Sequence, residues 1–185
     1  MEKYTDNLIW TKRFIAAAII QGAIIVGLTI YLILGQISLI KPEVARVIAG
    51  GNAGTWFTIG YILYIVVGVL GVAVSSLFYL YLERVLGKQY KDNTFAKIAA
   101  WIHLLFMNIG TVIAMSMLMF AGYVGGAAML PVSIGGRGLN ALQAHEIIGP
   151  FVEHIAGAIL VILIGVISGG IGFLIINRKK EINKY

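Results

Sequence analysis

The sequence predicts an all-α membrane protein: a four-transmembrane-helix bundle, one membrane domain over residues 1–185, with both termini cytoplasmic. Three observations carry this. Of the 185 residues, 59% are apolar and only 12% charged, more apolar surface than a soluble domain of this size can bury. The apolar residues gather in four runs, each at or above the ~20 residues a helix needs to cross hydrocarbon. The 14 basic residues are divided very unevenly among the segments between those runs.

The first span is read at residues 14–40. The segment before it, MEKYTDNLIWTKR, carries charges of both signs, and the run is too long for a signal-peptide core, so it reads as a retained helix. Further spans are read at residues 56–81, 95–121 and 151–176. None alternates apolar and polar at every second position, as the strands of a membrane barrel would. The apolar stretch 95–131 exceeds a bilayer, so its Gly-rich tail, residues 122–138, is expected to emerge as a surface loop. Gly122 with Gly126 and Gly165 with Gly169 are small-xxx-small pairs, and Gly22, Gly27 and Gly68 also lie within spans. Such positions let helix backbones approach, within the bundle or between subunits. Met107, Met115, Met117 and Met119 read as adaptable packing rather than a copper path.

Orientation comes from charge. Lys3, Lys12, Arg13, Arg84, Lys88, Lys91, Lys97, Arg178, Lys179, Lys180 and Lys184 fall in the N-terminus, the second connection and the C-terminus, whereas the other two connections hold only Lys41, Arg46 and Arg137. The positive-inside bias therefore places both termini in the cytoplasm, and the cell membrane is the expected location. A basic rim facing anionic headgroups accounts for the net charge of +6 without a nucleic-acid partner, so membrane lipid is the expected contact.

Few residues offer chemistry. There is no cysteine, hence no disulfide, thiolate metal site or covalent c-type haem attachment. No phosphate loop, nucleophile triad or HExxH pattern occurs, so no catalytic residue is assigned and catalysis by the chain alone is not expected. His103 lies six residues beyond Lys97, ~9 Å along a helix and so below the interface. It reads either as a haem or proton-relay ligand or as a neutral imidazole bonded to a neighbouring helix, with Asn108 nearby. His145, Glu146, Glu153 and His154, in HEIIGPFVEH, supply donors for a metal's coordination shell. On a continuous helix His145 and His154 point to opposite faces, so a shared site needs a turn at Gly149-Pro150; otherwise the segment is an interfacial connector. His103 and His154 are the cofactor-binding candidates, but they start from opposite membrane faces and cannot clamp one haem in the simple topology. Haem is compatible with the composition and not required by it.

The segment FYLYLERVLGKQYKDNTFAKIAAWIH, with Gly87 and Ala96-Lys97-Ile98, is followed by His103, Ile109-Gly110, Gly122 and Gly125 and then by a returning helix at 151–176. Over residues 56–176 this resembles the C-terminal helices of subunit I of haem–copper terminal oxidases. The resemblance implies a helical membrane fold with this inside–outside order and a place beside a respiratory redox complex. The chain also departs from that family. TWFTIGYILY, at the outer part of the second span, has no His-x-His pair for the haems; the propionate-binding arginines reduce to Arg137; the copper-binding helices are missing. The resemblance thus implies a non-catalytic subunit or shortened relative, with His103 as a trace of ancestry. Alternatives are a haem- or quinol-binding electron-transfer subunit using His103 or His154, and a structural or small-solute membrane protein unrelated to respiration.

Overall fold

The computed structural model describes residues 8–38, 41–87, 90 and 93–182, and among these there is no strand. Lys3, Lys88, Lys91 and Lys184, and the end of the first expected span at 39–40, lie outside the described residues. Helix α1 is Ile9–Ser38, α2 is the short Val44–Ala49, α3 covers residues 54–86, α4 is Thr94–Met129 and α5 is Ala141–Ile182. Four of these helices are long and apolar enough to cross a membrane. Their outward faces expose Ile19, Ile33, Leu77, Ile113 and Leu163, surfaces suited to hydrocarbon rather than water.

Local chemistry explains where the helices begin. Asn93 caps α4, its side-chain oxygen accepting from the Ala96 N–H at 3.1 Å. Asn140 and Gln143 close a reciprocal capping box at the start of α5: each side-chain oxygen accepts the other's backbone N–H at 3.0 Å. α1 has no such residue, because Leu8 precedes it; its cap arrives from another helix. α3 is continuous but not uniform, with wider π turns at Tyr64–Gly71 and Leu82–Leu86.

The helices alternate in direction. Glu83 of α3 meets Trp10 of α1, Gln21 of α1 meets Asn108 of α4, and Gly169 of α5 meets His103 of α4. α1 and α4 therefore run one way and α3 and α5 the other, and the start of α1 and the end of α5 share one end of the bundle. α4 is central, packing most extensively on α5 and then on α3, while α1 leans mainly on α3.

Two sequence expectations change. α4 does not stop near residue 121 but continues to Met129, so Gly122 and Gly126 are helical rather than part of a loop. Contact with α3 holds them there: a Cβ added at Gly122 would lie 2.1 Å from the Phe57 nitrogen, and one at Gly126 would lie 2.9 Å from the Gly54 Cα. α5 likewise begins ten residues before the expected span, at Ala141, and passes through Pro150, which is exposed and forfeits one backbone bond. The glycine pairs serve contacts inside the chain, whereas Gly22 and Gly27 have nothing within 4 Å.

Gly122→Ala should therefore force α3 and α4 apart and cost about 1–3 kcal/mol, the usual cost of overpacking. Gly22→Ala, on an open face, should be neutral or slightly stabilising. Unfolding of the two variants in mild detergent, followed by far-UV circular dichroism, checks the contrast.

Candidate functional site at His103

His103 is only 8% exposed although it belongs to a helix in an apolar setting. α4 turns it toward α3, where Tyr79 OH lies 3.2 Å from Nδ1 and Ser75 Oγ lies 3.4 Å from Nε2. The Ser75 hydroxyl hydrogen is already directed to the Gly71 carbonyl at 2.9 Å. The consistent assignment has Tyr79 donating to Nδ1 and Nε2–H pointing toward Ser75. Phe14 of α1 covers the ring, with centroids 5.0 Å apart. Gly169 of α5 lies beneath it, where a Cβ would be 2.2 Å from Nδ1, so only glycine lets α5 pass at this level.

Beside this imidazole, a cleft of about 450 Å³ opens between α3 and α5. Val74 and Phe78 form one wall and Val166 and Phe173 the other, with Ser75, His103 and Met107 supplying its polar and polarisable lining. Gly170 leaves the outer part wide, since nothing lies within 4 Å of where its Cβ would be. The site is thus an apolar slot with a weakly held N–H donor and a hydroxyl at one side. Nδ1 is engaged by Tyr79, so Nε2 is the ring nitrogen nearer the cleft and the one a ligand would meet.

The other candidates are placed elsewhere. His154 lies fifteen residues before Gly169 on α5, ~22 Å along the helix from the level of His103, so the two histidines do not meet. Its Nδ1 is 3.0 Å from the Pro150 carbonyl of its own helix. Because α5 is unbroken at Gly149-Pro150, no turn gathers His145, Glu146, Glu153 and His154, and all four are exposed. Among the described residues no three His, Asp or Glu side chains come together. Asn108 does not reach His103 either; its Oδ1 accepts from Gln21 Nε2 at 3.0 Å, and Tyr64 OH donates to Gln21 Oε1.

One buried group has no counterpart in the sequence reading. Glu83, 7% exposed, accepts from the Trp10 N–H at 2.8 Å, the Thr11 N–H at 3.1 Å and the Thr11 hydroxyl at 2.7 Å. It caps α1 from α3, satisfying two of the helix's orphan N–H groups and facing its positive dipole end. Of the polar groups within the helices the sequence reading singled out Asn108 but not its partner Gln21, and nothing in the order of residues connects Glu83 to position 10.

The chain matches no family model, no curated protein and no solved structure.

Glu83→Ala should free the start of α1, leaving two backbone donors without their carboxylate, at a cost of roughly 1–3 kcal/mol. Faster hydrogen exchange at Trp10 and Thr11, with the middle of α4 unchanged, is the expected signature.

Proposed function

We propose that the protein is a small integral membrane subunit that holds a quinone or quinol ring in the cleft beside His103. The observation that carries this is the pairing of a loosely held Nε2–H and a hydroxyl with an apolar slot between α3 and α5. A quinone is a flat apolar ring with carbonyl oxygens that accept hydrogen bonds and a hydrocarbon tail. The Nε2–H of His103 can donate to such a carbonyl, the Ser75 oxygen can accept from a quinol hydroxyl, and the tail can leave between the two helices toward lipid. Both termini, and with them the His103 end of the bundle, lie on the cytoplasmic side of the cell membrane in this proposal, as the charge distribution supports.

The resemblance over residues 56–176 supports a place for this subunit beside a haem–copper oxidase-type complex, with other membrane subunits as partners. Purification from native membranes in mild detergent should then bring cytochrome absorbance along with the chain; a cytochrome-free preparation would remove this part.

Quinone binding is tested by quenching of tryptophan fluorescence, because the Trp10 ring lies 6.1 Å from that of Tyr79 at the edge of the site. A short-chain naphthoquinone should quench the purified protein saturably. Gly170→Leu, which fills the slot without touching the backbone, should weaken binding at least about ten-fold, and Ser75→Ala about five-fold through the lost hydroxyl. Equal quenching of the wild type and Gly170→Leu would overturn the assignment.

A further inference from the structure

On the opposite side of α4, a second apolar groove of about 530 Å³ runs between α1 and α4. Arg13 stands at one end of it. Its guanidinium lies 4.7 Å from the Trp10 ring centroid and 4.5 Å from that of Trp101, and the two indoles meet edge to face with centroids 5.2 Å apart. This contact keeps a long, otherwise free side chain in place at the mouth of the groove. Lys12 adjoins it on α1, and Lys97 is exposed one turn before Trp101 on α4. The mouth is therefore cationic, with a planar N–H edge suited to two oxygens of a phosphate.

The body of the groove is hydrocarbon in character. Small side chains at Ala16 and Ala17 give it depth, and Leu105 and Ile109 of α4 line the facing wall. It reaches along α1 from Arg13 to Ile24, ~16 Å at 1.5 Å per residue, about half of the ~30 Å hydrocarbon core. That length is one leaflet. A groove one leaflet long with a fixed cation at its interfacial end has the dimensions and charge of a single phospholipid.

We infer that this groove binds an anionic phospholipid from the leaflet at the Arg13 end, with the headgroup phosphate on Arg13 and one acyl chain between α1 and α4. The bound lipid covers the seam where α1 has little direct contact with α4 and so joins the peripheral helix to the central one. The site is separate from the His103 cleft, and neither depends on the other.

Native mass spectrometry of the full chain, released from bilayers of equal phosphatidylglycerol and phosphatidylcholine, tests this. The wild type should retain one phosphatidylglycerol in preference to phosphatidylcholine. Arg13→Gln should reduce that preference about five-fold, as expected for one basic residue at a membrane surface. Ala16→Phe, an exposed position where bulk enters the groove rather than the core, should reduce retention of both lipids. Unfolding in lipid-free detergent should be unchanged in Ala16→Phe, whose side chain enters the groove and touches no core contact, which separates lost binding from lost fold. Equal retention of the two lipids by the wild type, undiminished selectivity in Arg13→Gln, or retention of a quinone in place of lipid would overturn the inference.

Discussion

Helices already inside hydrocarbon gain little by turning apolar side chains toward one another, so the bundle depends on how closely backbones can approach at the α4–α5 seam. Glycine supplies that closeness from both sides. Gly110 of α4 lies under Ala158 and Ile162 of α5, and Gly165 and Gly169 of α5 lie over Phe106 and His103 of α4. The same approach fixes the imidazole. With Gly169 beneath, Phe14 above and Tyr79 on Nδ1, the ring of His103 has one orientation, and Nε2 is left on the side of the cleft. Packing dispersion at the seam thus becomes pre-organisation of the only imidazole in the interior of the described structure.

α1 is held by a different means. In its most apolar window 17% of residues are buried, against 44% for α4, so side-chain packing alone gives it a weak hold. Polar contacts compensate: Glu83 at its start and the Gln21–Tyr64–Asn108 cluster further along. Both α3 residues in these contacts, Tyr64 and Glu83, fall in π turns, where the wider turn changes which face a side chain leaves from. In a low-dielectric setting each unpaired partner would be costly, so these contacts specify where α1 lies as much as how strongly it is held.

Much of this was legible in the residue order. Apolar run length gives four crossing helices without any knowledge of their neighbours, because the backbone in hydrocarbon has no other way to satisfy itself. The charge asymmetry groups Arg13, Arg84 and Lys97 together, and the helix directions do bring them to one end. Element limits were less legible. α4 runs on through Gly122 and Gly126 because α3 packs against them, which outweighs the poor helix propensity of glycine. The conspicuous cluster HEIIGPFVEH is spread along a continuous α5, since a proline costs one hydrogen bond and not the helix. His103 was found as a lone imidazole in an apolar run, yet its partners Ser75 and Tyr79 were not, because hydroxyl residues are unremarkable in membrane helices.

By itself, then, the sequence determined the class of the molecule: helical, four crossing-length apolar segments, one basic end and a buried histidine with no cysteine chemistry around it. Those properties belong to single segments and follow from transfer free energies. Only the tertiary structure decided which side chains meet. The capture of α1 by Glu83, the pairing of Asn108 with Gln21 instead of His103, the clefts on two sides of α4 and the dispersal of the acidic and imidazole groups of α5 all depend on helix rotation and close approach. A few glycines and two π turns set these, and their effect exists only when two helices are in contact.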